Sequence, residues 1–240
     1  MRAVVTGAVF AALVLGSGVA RAQDISDAGL TFWNVTAERI EYRFAEDEEV
    51  LALEGDATYG TDNLTVRYEV EAEYELESDE LEAPKNQLVL QKPISAFFDA
   101  KAGVGYADLG EEERFYGVIG VHGLAPQWFE VDADITLSES GDVAFLFEAE
   151  YEALITNRII LTPSFEMELG ATDDDDISLG QGFRKIEVGA RLSYDLIDRA
   201  VAPYIGVHYE RLLGETSSIA KSNGEDNDGL FGVIGVKISF

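Results

Sequence analysis

Between Asp62 and Leu76 the chain alternates apolar and polar residues without a break, and no other feature limits its fold so tightly. Leu64, Val66, Tyr68, Val70, Ala72, Tyr74 and Leu76 fall on one face, and Thr65, Arg67, Glu69, Glu71, Glu73 and Glu75 on the other. Successive strand side chains point to opposite sides, so period two predicts a β-strand with one greasy face and one charged face. The pattern recurs down the chain. Phe129, Val131, Ala133, Ile135 and Leu137 oppose Glu130, Asp132, Asp134 and Thr136; Val143, Phe145, Phe147, Ala149, Tyr151 and Ala153 oppose Glu148, Glu150 and Glu152. Phe165, Met167 and Leu169 stand against Glu166 and Glu168, and Ile186, Val188, Ala190, Leu192 and Tyr194 against Lys185, Glu187, Arg191 and Ser193.

Strands of soluble proteins usually span about five or six residues, whereas a strand tilted by about 45° needs about 9–11 to cross a bilayer. The runs here have the longer length. A soluble sandwich or small soluble barrel would bury the apolar face and use shorter strands. One apolar and one charged face, sustained this far, fits lipid outside and a polar lumen inside. Closure is then required, because hydrocarbon offers no partner to an open edge. The reading is an all-β, transmembrane, antiparallel up-and-down barrel of about 12 strands, near 31–44, 48–59, 62–76, 86–91, 95–107, 114–122, 127–137, 142–154, 158–170, 183–196, 201–212 and 229–240. An alternative has 8–10 strands, with eight from residue 95 onward behind a looser N-terminal region. Counting back from the last strand, the longer connections fall on one side and the tight turns on the other, as outer loops and periplasmic turns should.

Met1-Arg2, the uncharged run from Ala3 to Ala20, and the small-x-small sequence Ala20-Arg21-Ala22 predict a signal peptide over 1–22, cleaved before Gln23. Residues 23–30 read as a periplasmic lead-in and 31–240 as the barrel. The expected location is the outer membrane of a Gram-negative bacterium, as a monomer in contact with membrane lipid and lipopolysaccharide. Leu230, Ile234, Val236, Ile238 and Phe240 alternate to the last residue. This ending resembles the terminal signature of outer-membrane barrels, which implies that Phe240 is read by the barrel-assembly machinery.

Composition narrows the chemistry. With 46 Asp+Glu against 17 Lys+Arg the formal charge is −29, so nucleic acid is not a partner. The absence of Cys excludes thiol catalysis and Cys-ligated metal centres, and two His are too few for a three-His metal site. Inward carboxylates outnumber Arg67, Lys101, Lys185 and Arg191, which predicts a lumen that prefers cations. Because they repeat on every strand, they read as a lining, and no catalytic residues are assigned; the chain is not read as an enzyme. The acidic runs Asp173–Asp176 and Glu225, Asp226, Asp228 lack the spacing of a calcium loop and read as solvated outer loops that would share divalent cations with lipopolysaccharide. Parity places His208 on one face with Glu210, making this pair the better metal candidate, with His122 the other. Met167 falls on the lipid side. Tyr106, Tyr116, Trp128, Tyr151, Tyr194, Tyr204 and Tyr209 are candidates for interfacial girdles.

Ordered blocks carry a family resemblance. They are Ile94-Ser95-Ala96-Phe97-Phe98-Asp99 leading into Ala102–Tyr106, then Gly120-Val121-His122-Gly123-Leu124-Ala125-Pro126-Gln127-Trp128-Phe129-Glu130-Val131-Asp132-Ala133. Thr156-Asn157-Arg158-Ile159-Ile160-Leu161-Thr162-Pro163, Glu187–Tyr194 and Ala202-Pro203-Tyr204-Ile205-Gly206-Val207 follow in order. From about Ile94 to Phe240, with a weaker match near Tyr59–Asp62, the chain resembles the copper resistance protein B family of outer-membrane proteins. The resemblance implies an outer-membrane barrel in copper tolerance that binds or sequesters copper ions at the cell envelope. Many members carry a Met- and His-rich N-terminal segment of soft copper ligands. Here only Met167 and the two barrel His follow Gln23, so no ligand position carries over from the family. The alternative function is a small acidic, cation-preferring channel or structural protein without copper specificity.

Overall fold

The structure, a computed structural model, describes residues 30–240 except 46–47, 77–79, 109–112, 174–178, 198 and 225. The expected leader, most of the lead-in, Asp174, Asp175, Asp176 and Glu225 lie outside the described residues. Thirteen strand segments form one antiparallel sheet: β1 (Phe32–Phe44), β2 (Glu49–Thr61), β3 (Leu64–Glu75), β4 (Glu80–Pro93), β5 (Phe98–Asp108), β6 (Glu113–Ala125), β7 (Phe129–Ser138), β8 (Val143–Tyr151), β9 (Ala153–Leu154), β10 (Ile159–Gly170), β11 (Gly182–Tyr194), β12 (Val201–Leu212) and β13 (Asp228–Ser239). The two-residue β9 continues β8 along β10, so the wall has twelve staves. β13 pairs with β1 and closes the ring. At this seam Val35 and Phe240 exchange both backbone hydrogen bonds, at 3.1 and 2.9 Å.

The first third of the chain forms four complete staves, which rules out the eight-strand alternative. β4 is much longer than the stretch 86–91 expected from the sequence. Its alternation is interrupted by Pro84 and by a register shift between the pairs Glu73–Glu82 and Glu71–Lys85. The connection after β12 also differs from expectation, because it contains a helix, α1 (Gly214–Asn223). Gly224 ends α1 in the left-handed conformation, where a residue without Cβ carries no steric cost.

The apolar face points outward. Val66, Leu88, Leu90, Val104, Ile119, Ile135, Val188, Ile205 and Ile234 are all exposed, while Glu41, Arg43, Lys101, Asp134 and Arg191 are buried inside. Aromatic rings gather at both ends of the wall. Trp33, Tyr59, Phe97, Trp128, Phe129, Tyr194 and Phe240 are exposed at the end with tight turns. Tyr42 stacks on Phe44, and Tyr106 lies 5.0 Å from Phe115, at the opposite, outer end. Two expected girdle members are corrected: Tyr116 lines the lumen and Tyr204 is buried within it. Each lies opposite a glycine in register, Tyr116 over Gly105 and Tyr204 over Gly235. A Cβ at either glycine would collide with the ring, so the missing side chain makes the room that turns the tyrosine inward.

Two further irregularities break strict alternation. Between Ala37 and Arg39 the register with β2 shifts by one residue, leaving Glu38 unopposed. A bulge of this kind sends two consecutive side chains to one side, and Glu38 and Arg39 both enter the lumen. The register of β10 with β11 shifts between Glu168–Lys185 and Leu169–Phe183, and there Arg184 and Lys185 both point inward. Parity alone hides both arginines.

A candidate cation site in the barrel wall

The interior is a network of charges. Arg39 reaches from β1 to Glu54 on β2 and across to Glu150 on β8 and Glu166 on β10, each at 2.9 Å. Glu41, its side chain fully buried, accepts hydrogen bonds from Arg43 Nε at 2.7 Å and from Arg191 Nε, Arg191 Nη2 and Tyr204 Oη at 2.9 Å each. At the outer rim Arg184 donates to both carboxylate oxygens of Asp142, at 3.1 and 2.7 Å, and to the Thr172 carbonyl at 2.8 Å. Arg184 Nε also donates to the Gly180 carbonyl, and the Gly180 amide donates to Thr216 Oγ1 of α1, which ties the helix to the wall. Burial pushes the Asp142 carboxyl up, but the hydrogen bonds from Arg184 and Thr172 outweigh it and hold its pKa below the usual carboxylate range.

Several buried polar atoms make no hydrogen bond, Arg67 Nε, His122 Nδ1 and Asp134 Oδ1 among them, and at one corner both nitrogens of a ring are in that state. His208, on β12, is 1% exposed, and neither ring nitrogen has a hydrogen-bond partner among the described residues. Register alone builds its surroundings: Glu210 is two positions along β12 on the same face, and Glu187 on β11 is paired with Glu210. His208 Nε2 lies 3.4 Å from Glu187 Oε2 and 3.9 Å from Glu210 Oε2. Among the described residues, these three offer ligand atoms that all lie within 4.8 Å of one another. Metal–ligand bonds of about 2 Å bring cis ligands to about 3 Å from each other, so a small inward movement completes the set. Phe231 covers the ring, with centroids 6.2 Å apart. Lys185 Nζ bridges the same two carboxylates, at 2.8 Å from Glu187 and 3.0 Å from Glu210.

The sequence-derived pair His208 and Glu210 is therefore brought together, and Glu187 joins it. The other candidate, His122, is not part of this group. It sits on β6, on the opposing wall and toward the other end, with Nδ1 3.3 Å from Asp132 and Nε2 3.8 Å from Glu130. Asp132 is already held by Lys101 at 2.6 Å. Parity could assign Glu187 to the inner face but not to a height. Only the β11–β12 register places it beside Glu210.

Imidazole with two carboxylates suits Cu(II) and other borderline divalent ions, and lacks the sulfur that Cu(I) prefers. Met167 shares the outward parity of the exposed Phe165 and does not contribute.

Comparisons with known proteins agree with this architecture. Among solved structures, the NanC porin superposes with a TM-score of 0.54 at 13% identity, covering 86% of this chain and 99% of the porin. The KdgM porin gives 0.51 at 12% identity with the same coverage. Both show the fold alone: a closed outer-membrane barrel. Among curated proteins, copper resistance protein B of Escherichia coli is 32% identical over 216 residues, covering 90% of this chain and 72% of that protein. A copper resistance protein B homolog of Pseudomonas syringae pv. tomato is 28% identical, covering 85% and 68%. A profile of copper resistance protein B precursors matches residues 31–240, the whole barrel. With twelve lipid-facing staves, an acid-lined interior and this match along its length, the chain is an outer-membrane β-barrel that belongs to the copper resistance protein B family.

Proposed function

We propose that this barrel handles copper at the cell envelope by holding Cu(II) between Glu187, His208 and Glu210. The observation that carries the reading is His208, buried with both ring nitrogens unsatisfied and facing two carboxylates. A buried polar group without partners costs free energy, and a divalent ion is the ligand that such a donor set would reward. Lys185 already neutralises the same carboxylates, so an arriving ion must displace its ammonium group. That competition makes the site an exchanger, which suits a protein that takes up and releases its cargo. The function is read as binding, since the lumen carboxylates are spread over β1, β2, β3, β7, β8, β10 and β11 as a lining.

The test is a Cu(II) titration of the refolded barrel in detergent, followed by electron paramagnetic resonance. One equivalent should give a spectrum with nitrogen coupling, which His208→Ala abolishes and His122→Ala preserves. A spectrum indifferent to His208 would overturn the assignment. Copper tolerance of a deletion strain, rescued by the wild-type gene and not by His208→Ala, tests the same reading in the cell.

A further inference from the structure

We infer that the barrel contains a cation-selective path whose closure at mid-height is the Arg39 side chain. An internal cavity of about 450 Å³ is lined at one end by Arg184, Lys185 and Glu187 and toward the other by His122, Glu130 and Asp132. It therefore runs past the middle of the barrel. Fifteen carboxylates and seven Lys or Arg residues line it. Rings of carboxylates favour cations over anions in a pore.

One guanidinium group stands across this cavity and lines it. Arg39 enters at the β1 bulge and its side chain is only 11% exposed. Nη1 meets Glu54 of the adjacent strand and Glu166 of β10, and Nη2 meets Glu150 of β8. β8 and β10 lie across the lumen from β1 in the strand order, so the group spans the bore and puts a fixed positive charge in it. Glu41, Arg43, Arg191 and Tyr204 form a second brace, which Arg43 carries on to Glu73 of β3 and Arg191 to Ser164 of β10; of these residues only Glu73 lines the cavity. Removing the Arg39 charge leaves Glu54, Glu150 and Glu166 facing one another, a group of carboxylates at that level of the bore. The path takes small hydrated cations of either valence, and it does not depend on whether the His208 corner binds copper.

The experiment is conductance in planar lipid bilayers under a KCl gradient, with heat-modifiable gel migration as the check of folding. Wild type should conduct weakly. Arg39→Gln should conduct several-fold more, with a reversal potential of the sign set by cations, while Arg39→Lys should stay near wild type. A folded Arg39→Gln barrel with wild-type conductance, or with anion preference, overturns the inference. If Arg39→Gln does not fold, Glu150→Gln/Glu166→Gln decides in the same way: releasing Arg39 from the far wall should raise conductance, and an unchanged current refutes the plug.

Discussion

Two patches on the inner wall, sharing strand β12, handle buried charge in opposite ways. At the waist, the Glu41 carboxylate receives four hydrogen bonds, two from Arg191 and one each from Arg43 and Tyr204. Farther along the same face of β12, His208 is as deeply buried, but neither ring nitrogen makes a hydrogen bond, and Nε2 only faces Glu187 at 3.4 Å. The number of charges is similar and their satisfaction is not. A saturated buried network holds structure together, whereas an unsaturated one costs stability and calls for an explanation, of which a bound ion is one. The lumen thus divides into a braced waist and an unsaturated corner, where the proposed binding would take place.

The largest expected effect would break the bracing half of that contrast. Glu41→Ala leaves Arg43 and Arg191 buried without their carboxylate and should lower the unfolding free energy by about 3–5 kcal/mol, read by urea titration in micelles. His208→Leu should do the reverse. Replacing an unsatisfied buried group by an apolar one is close to neutral or stabilising, while Cu(II) affinity should fall at least about tenfold, about 1.4 kcal/mol, by calorimetry. Loss of stability comparable to Glu41→Ala would erase the distinction between the patches. Lys185→Met sharpens it by removing the competing cation, so the same titration should show Cu(II) affinity raised several-fold. The smallest effect concerns the outer rim. Because Asp142 has a lowered folded pKa, its contribution is present above the unfolded value of about 3.9 and is lost as pH falls through the folded value. Asp142→Asn should therefore be less stable than wild type at neutral pH, and the gap should close in acid.

Much of this was legible in the alternation of side chains. The faces of β3, β7, β8, β10 and β11, and the seam ending at Phe240, follow from period two and strand length. Most of what was missed has a common physical origin. Arg39 and Arg184 sit at bulges, where counting forward and counting backward along a strand disagree about the face. Tyr116 and Tyr204 resemble girdle residues until the glycine opposite each is known, and that is a matter of register. Helix α1, Gly-Glu-Thr-Ser-Ser-Ile-Ala-Lys-Ser-Asn, lacks the apolar stripe that marks an amphipathic helix. Its closing Gly224 was the one available sign. In the candidate site, His208 and Glu210 share a strand and so were found together, whereas Glu187 belongs to the neighbouring strand and needed the pairing.

The irregularity at Glu38 bears on how the barrel could tolerate change. Excising that single residue would restore an even pleat to β1 and leave every other side chain of the strand on its present face, so ring geometry does not demand it. What would disappear is a carboxylate lying 3.9 Å from Lys237 on β13 and the local bend that aims its neighbour across the bore. A one-residue deletion, usually ruinous inside a strand, should here yield an intact cylinder with altered permeability.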